Sequence, residues 1–241
     1  MTAFVILWAH VGPRFEELTP GLYAALNANE AKFEGNEAMA TALNQIKEFY
    51  DLGCFGSTAL ADTGSGATEA FTSGRVAMLL STLDFPAAVK NDFPDYDVEN
   101  IGAFLAPFAD NQILDVNPAG PTKYIYSKSP HIAEAKLYFE FLTRPENMTA
   151  YMQHPSGPAN LPFSSAEGQL PPSQQEYLAE HDAKKGVVLQ TAVTYVNPQW
   201  FDIGKDMVAM FTGSMDADTL LRNLDRRRAD LARAARDPAW Q

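Results

Sequence analysis

The sequence predicts an α/β fold built from layers of helices and strands. Segments with helical spacing of apolar residues alternate along the chain with short apolar runs typical of buried parallel strands. Hydrophobic residues make up 46% of the chain and charged residues 20%, a composition that can bury a sizeable core. The length of 241 residues allows one large domain or two small ones, and composition does not choose between them.

Two helices are predicted in the first part of the chain, where apolar residues lie three and four positions apart. Gly12 and Pro13 are expected to end the first helix and to begin a loop that continues to Gly35. The second helix is expected over residues 36–52, with Asn36 as its N-cap and Gly53 just past its end. The apolar faces are Phe4, Leu7, Trp8 and Val11 in the first helix and Met39, Leu43, Ile46 and Tyr50 in the second.

The strands are predicted from compact apolar or extended runs between helices. A short helix at 68–73 and another at 86–90 surround the run VAMLL, which suits a buried parallel strand. The expected strands or extended segments are residues 76–80, 101–105, 123–127 and 187–196.

The second part of the chain predicts a series of helices. Pro145 separates the first two, and a proline-rich stretch over residues 154–172 is expected to be a long loop or a linker. Arg226, Arg227 and Arg228 in the last helix are interpreted as a solvent-exposed face that pairs with Asp225 and Asp230. The expected helices cover residues 132–142, 146–153, 173–185, 201–211 and 216–235.

Charge and cysteine content exclude several classes of protein. The chain has 18 Lys and Arg against 30 Asp and Glu, a net charge of −12, which argues against nucleic acid as a partner. The single cysteine, Cys54, excludes a disulfide framework and multi-cysteine zinc sites, and packing is its expected role. The four histidines are far apart, so no metal is expected, and no cofactor is implied. The short apolar run near Met1 has the features of neither a signal peptide nor a membrane span.

Enzymatic motifs are weak in this sequence. Gly64-Ser65-Gly66 lacks the lysine and the preceding strand of a phosphate-binding loop, and no nucleophile elbow is present. The close acidic pairs Asp95 with Asp97 and Asp216 with Asp218 keep a glycoside hydrolase open as the alternative function. An interaction module whose helices serve assembly is a further alternative.

Four stretches resemble the extracytoplasmic solute-binding proteins of ABC importers, in particular the family that binds sugars and oligosaccharides. Residues 71–78 (FTSGRVAM) and 135–146 (AKLYFEFLTRPE) resemble two signatures of that family. Residues 157–159 (GPA) resemble its Gly…Pro-Ala turn, and residues 220–240 resemble its C-terminal tail. The order and spacing of these stretches carry the resemblance rather than any one of them.

The resemblance implies a bacterial periplasmic-binding-protein-like fold of type II, in which two α/β lobes close over a solute. Residues 1–109 and 171–241 would belong to the second lobe, which would be complete, and residues 110–170 would return to the first lobe. The chain covers only the later part of the family's length, which predicts a C-terminal fragment without most of the first lobe or the export signal. The full-length protein is expected to be periplasmic or at the cell surface, and exposed apolar surface on the fragment predicts self-association.

The resemblance also implies a non-enzymatic function: binding a carbohydrate and delivering it to the permease subunits of the importer. Sugar rings pack on aromatic side chains, and their hydroxyls need hydrogen-bond donors and acceptors. Trp8 is interpreted as a core residue and Trp240 as a packing anchor. Tyr195, Asn197 and Trp200 lie on a predicted loop, where exposed aromatic side chains are often functional. The predicted ligand-binding residues are Asp84, Phe85, Thr122, Lys123, Tyr124, Tyr195, Asn197 and Trp200.

Overall fold

The computed structural model describes residues 2–61, 66–83, 85–118, 124–153, 172–181 and 183–241. Contacts between residues divide the chain into two units. The first unit comprises Met1–Ser65, Leu105–Pro118 and His181–Gln241, and the second comprises Gly66–Phe104 and Ala119–Glu180. The assignment of residues 1–109, 110–170 and 171–241 to family lobes stays a prediction.

Helices dominate the described residues. The helices are α1 (Thr2–His10), α2 (Gly12–Leu18), α3 (Leu22–Asn27), α4 (Glu37–Asp51), α5 (Ala67–Thr72), α6 (Phe85–Asp92), α7 (Ile132–Leu142), α8 (Pro145–Gln153), α9 (Pro172–Glu180), α10 (Leu189–Ala192), α11 (Trp200–Phe211) and α12 (Ala217–Ala234). The strands of the described residues are β1 (Leu114–Val116) and β2 (Lys185–Val187), and short 3-10 helices cover Val98–Asn100, Phe108–Asp110, Asn197–Gln199 and Pro238–Trp240.

The core of the first unit lies between α1, α4, α11 and α12. Helix α1 is apolar almost all round, the pattern of a helix surrounded by other elements. Helix α4 buries the predicted stripe of Met39, Leu43 and Ile46, and its N-cap Asn36 accepts a hydrogen bond from the Met39 amide. The helix predicted over residues 36–52 is therefore confirmed, including its cap.

Trp8 lies in this core with none of its surface exposed. Its ring centroid is 6.1 Å from that of Phe15 and 6.1 Å from that of Phe33, and its indole nitrogen donates to the Met39 carbonyl at 3.3 Å. A ring enclosed in this way cannot stack on a solute, so the interpretation of Trp8 as a core residue is confirmed.

Strands β1 and β2 form a parallel pair in the first unit, with Leu114 opposite Lys185. Gly186 lies against Pro13, where an added Cβ would be 2.6 Å from the proline Cβ. The Tyr23 hydroxyl donates to the Val187 carbonyl at 3.0 Å, which fixes β2 beside α3. A close backbone approach therefore explains a glycine inside this strand.

The second unit packs its helices around small apolar clusters. The rings of Phe71 and Phe85 meet edge to face with centroids 5.3 Å apart, and Val89 is buried on α6. Helix α8 lies against α7 and buries Met148 and Met152. The helices predicted at 68–73, 86–90, 132–142 and 146–153 are confirmed within a residue or two of their ends.

Most of the predicted strands are wrong. Residues 76–80 and 101–105 are not strands, nor are the described residues 124–127 of a third predicted strand, and Met78 is 64% exposed. Residues 187–196 belong to a strand only at their start, and the short helix α10 follows with Leu189 buried. An apolar run becomes a strand only where a neighbouring strand pairs with it, and among the described residues pairing is limited to β1 with β2.

Two smaller expectations are wrong, and a third concerns residues outside the described part of the chain. Gly12 and Pro13 begin α2 instead of a loop, because a proline at the first turn loses no helical hydrogen bond. Cys54 is exposed on the turn after α4, where it was expected to pack. Nearly all of the proline-rich stretch, residues 154–171, lies outside the described residues.

Two kinds of feature are missing from the described part of the chain. None of its helices is long and apolar enough to cross a membrane. Among the same residues, no three His, Cys, Asp or Glu side chains come close enough together to hold a metal ion.

Replacing Gly12 with alanine is expected to lower the free energy of unfolding by about 1–3 kcal/mol, because the new methyl group overpacks the core. Its Cβ would lie 2.6 Å from the Tyr23 hydroxyl oxygen and 2.7 Å from the Leu189 amide nitrogen. Helix propensity alone predicts the opposite sign, since alanine is the better helix former. Urea unfolding measures the change, and Gly102→Ala, with open space around its Cβ, is the control. A more stable Gly12→Ala variant would contradict this packing.

Candidate functional site

The 193–200 loop, which joins α10 to α11, carries Tyr195, Asn197 and Trp200. Val193 and Val196 are buried and anchor the loop to the core of the first unit. The Asn197 amide is exposed, and Trp200 is partly buried against the core at the start of α11. The loop therefore presents a polar amide close in sequence to two aromatic side chains that keep part of their surface exposed.

Tyr195 holds the loop in an unusual backbone conformation. Its φ is +64°, in the left-handed region that residues with a Cβ rarely adopt. The hydroxyl donates to Asp237 Oδ2 at 2.8 Å, and the carbonyl accepts from Gln199 Nε2 at 2.6 Å. The hydrogen bond to Asp237 raises the pKa of Tyr195, so the hydroxyl stays protonated as the donor. Strained conformations of this kind persist where surrounding contacts fix them.

Arg228, whose side chain has no exposed surface, holds the loop from the protein interior. Its guanidinium donates to the Thr194 carbonyl at 3.2 Å and to the Leu26 carbonyl at 2.9 Å. The same group lies over the rings of Phe33 and Trp240, at 5.1 Å and 5.0 Å from their centroids. Burial lowers the pKa of Arg228, and Asp225, whose carboxylate is 3.6 Å away, opposes that change.

Arg227 holds the other end of the loop. It donates to Gln199 Oε1 at 2.8 Å and to Asp206 Oδ2 at 2.8 Å, and both side chains of this ion pair are largely shielded. The prediction that the three arginines form a solvent-exposed face is therefore wrong for Arg227 and Arg228 and holds for Arg226 alone. The signal was in the sequence, because Arg228 follows Leu220 and Leu224 at intervals of four, on the apolar face of α12.

Asn27, a residue not predicted from the sequence, also holds the 193–200 loop. Its side-chain oxygen accepts from the Thr194 amide at 2.8 Å and from the Thr194 hydroxyl at 3.0 Å. Its side-chain nitrogen donates to the Ala192 carbonyl at 2.9 Å. Nothing in the local pattern at the end of α3 indicated this role, since the partners lie more than 160 residues away.

The remaining predicted ligand-binding residues lie in the second unit or outside the described residues. Phe85 begins α6 and is partly buried against Phe71, whereas Tyr124 is 85% exposed. Asp84, Thr122 and Lys123 are outside the described residues. Within the first unit, the structure thus brings together three of the eight predicted residues on one loop.

Comparison with known protein families shows to which family the chain belongs. Residues 4–180 match the family model described as bacterial extracellular solute-binding protein. The chain belongs to this family. Neither the comparison with curated proteins nor the one with solved structures found a match.

Membership of this family confirms the fold family, the location and the general role that were expected from the sequence. A bacterial extracellular solute-binding protein has a periplasmic-binding-protein-like fold, lies outside the cytoplasm and serves as the solute-binding component of an ABC transporter. Members of the family are generally not enzymes. The lobe structure within that fold is not defined by the described residues, which are mostly helical.

One member of each acidic pair in this solute-binding protein has a local structural role. Asp216 caps α12 by accepting from the Thr219 amide at 2.8 Å, and hydrogen bonding to the side chain and the backbone of Thr219 lowers the pKa of Asp216. Asp97 accepts from the Glu99 amide at 3.2 Å at the start of a 3-10 helix. A general acid in glycoside hydrolysis needs a raised pKa, so capping explains these two carboxylates better than catalysis does.

Two surfaces of the solute-binding protein differ from the 193–200 loop. A groove of about 470 Å³ in the first unit is lined by Asn36, Thr41, Asn44 and Asp218, but no aromatic ring lines it. In the second unit, large apolar side chains such as Leu137 are exposed. The self-association expected from exposed apolar surface stays a prediction.

Proposed function

We propose that this solute-binding protein binds a sugar or an oligosaccharide outside the cytoplasm and delivers it to the permease of an ABC transporter. Family membership supports solute binding, and the 193–200 loop supports the carbohydrate. The main observation that supports a carbohydrate is the exposed amide of Asn197 on an ordered loop that also bears Tyr195 and Trp200.

The side chains of this loop match what a neutral sugar needs. The exposed part of the Trp200 indole can pack against the C–H face of a sugar ring, and aromatic rings supply large contact area in ligand sites. The Asn197 amide offers both donors and an acceptor to hydroxyl groups. The Tyr195 hydroxyl already donates to Asp237, so Tyr195 would contribute its ring and one acceptor.

Preorganisation of the loop favours binding. Asn27, Arg227 and Arg228 satisfy backbone and side-chain groups on both sides of Tyr195, so the loop is ordered without a ligand. A ligand that meets an ordered loop loses less entropy on association than one that must order it. This cost would otherwise weaken the affinity for the solute.

The charge of the chain bears on the class of solute. With a net charge of −12, the protein repels anionic solutes over the range of the local Debye length. A neutral carbohydrate is not repelled. We retain Asp84, Phe85, Thr122, Lys123 and Tyr124 as further ligand-binding residues, because hydroxyl-rich solutes need several donors and acceptors.

A thermal-shift screen tests the proposed class of solute. The panel contains monosaccharides and oligosaccharides, with dicarboxylates, amino acids and short peptides as comparison groups. At a solute concentration 100 times its Kd, binding stabilises the folded state by about 2.7 kcal/mol, which raises the melting temperature by several degrees. A shift confined to carbohydrates would support the proposal, whereas a shift confined to dicarboxylates, amino acids or peptides would contradict it. Release of reducing sugar from an oligosaccharide would favour the hydrolase alternative.

A further inference from the structure

We propose that residues 236–241, here called the tail, clamp the 193–200 loop in the conformation that presents Asn197 and Trp200. Asp237 and Trp240 are then positioning residues for solute binding, although they need not touch a solute. The effect on affinity rests on the proposed function, whereas the effect on the loop itself does not.

The first contact of the clamp is direct. Asp237 Oδ2 accepts the hydrogen bond of the Tyr195 hydroxyl at 2.8 Å in a partly buried setting. Tyr195 has a φ of +64°, so its backbone conformation needs such an external contact to persist. Hydrogen bonds to a charged acceptor are among the stronger ones in proteins.

Asp237 is itself fixed, which makes it a suitable anchor. Its amide donates to the Ala232 carbonyl at 2.9 Å, so it is attached to the end of α12. Its second carboxylate oxygen accepts from the Ala239 amide at 3.0 Å and orders the turn that leads to Trp240. The two oxygens of one carboxylate therefore join the tail to the loop.

The second contact of the clamp acts through Arg228. The Trp240 ring, which is 8% exposed, lies 5.0 Å from the Arg228 guanidinium and shields it from water. That guanidinium donates to the Thr194 carbonyl, one residue before Tyr195. Lys32 lies 4.8 Å from the centroid of the same indole, so Trp240 itself is held in place. The tail thus restrains two successive residues of the loop by independent contacts.

Hydrogen exchange of the ligand-free 241-residue chain tests the clamp. The amides of Thr194, Gln199 and Trp200 are hydrogen-bonded in the loop and should be protected from exchange. Tyr195→Phe and Asp237→Ala each remove the same hydrogen bond, and Trp240→Leu removes the ring over Arg228. Each variant is expected to speed exchange of the peptide covering the 193–200 loop about tenfold.

Two controls separate a clamp from a general loss of stability. Asp230→Ala removes an exposed carboxylate near the C-terminal end of α12, and it should leave hydrogen exchange of the 193–200 loop unchanged. The peptide covering α4 reports the rest of the core in every variant. Combining Tyr195→Phe with Asp237→Ala should add little to the effect of Asp237→Ala alone, because the hydrogen bond between the two residues is already lost in that variant.

The outcomes are distinct. Faster exchange in the loop with unchanged exchange in α4 supports the clamp, and equal acceleration in both, or none in either, overturns it. Because no solute is present, failure of the carbohydrate screen leaves this result unaffected. The same variants measured with a carbohydrate that gives a thermal shift would then show whether the clamp also sets affinity.

Discussion

Replacing Arg228 with methionine is expected to lower the free energy of unfolding by about 3–5 kcal/mol, the cost of removing one partner from a buried ion pair. The change leaves the Asp225 carboxylate buried without its cation and leaves the carbonyls of Leu26 and Thr194 without these donors. Methionine has a similar length and is apolar, so lost packing contributes less than it would with alanine.

Arg226→Met is the matched control for this prediction, because Arg226 is exposed and lies two positions away on the same helix. Its free energy of unfolding should stay within about 0.5 kcal/mol of the unaltered chain. Urea unfolding followed by circular dichroism measures both variants. Equal stability of the two would mean that the Arg228 side chain is exposed and does not hold the 193–200 loop.

Replacing Trp8 with alanine is expected to lower the free energy of unfolding by about 3–5 kcal/mol, because it opens a large cavity in the core. The ring is fully buried beside Phe15 and Phe33, and its indole nitrogen bonds the Met39 carbonyl. The effect should fall on stability and not on solute affinity measured at a temperature where the variant is folded.

Trp200→Ala provides the contrast for Trp8→Ala. Trp200 is only partly buried, so its removal should cost less stability than the loss of Trp8. Thermal and urea unfolding of the two variants side by side measure the difference. A Trp8→Ala variant as stable as the unaltered chain would contradict the placement of this ring in the core.

Helices with both an apolar stripe and a cap were predictable from the sequence. Helix α4 has its buried face where the spacing of Met39, Leu43 and Ile46 placed it, and Asn36 caps it. Local hydrogen bonds and one buried face determine such elements, and both are visible within about 20 residues of sequence.

The strands were not predictable in the same way. The run at residues 76–80 has the composition of a buried strand, yet Val76, Met78 and Leu80 are exposed. A strand depends on a partner that is distant in sequence, and an apolar run contains no information about that partner. Residues 189–196 show the same ambiguity, because apolar spacing there fits a helical turn as well as an extended segment.

The candidate site was predictable only where its residues are neighbours in sequence. Tyr195, Asn197 and Trp200 share one loop, so aromatic composition between two elements was enough to find them. Their supports, Asn27 and Asp237, lie on other elements, and the hydrogen bond between Leu26 and Arg228 joins residues 202 positions apart. Arg228 could have been found from its position on the apolar face of α12.

The most direct test of carbohydrate binding at the 193–200 loop is isothermal titration calorimetry with the carbohydrate that gives the largest thermal shift. Trp200→Ala is compared with Phe201→Ala, which removes the exposed aromatic side chain next to it on α11. We predict that Trp200→Ala raises the Kd by about tenfold or more, the loss of roughly 1.4 kcal/mol of contact energy, while Phe201→Ala leaves it unchanged. An unchanged Kd in Trp200→Ala, or an equal rise in both variants, would contradict a solute site on this loop.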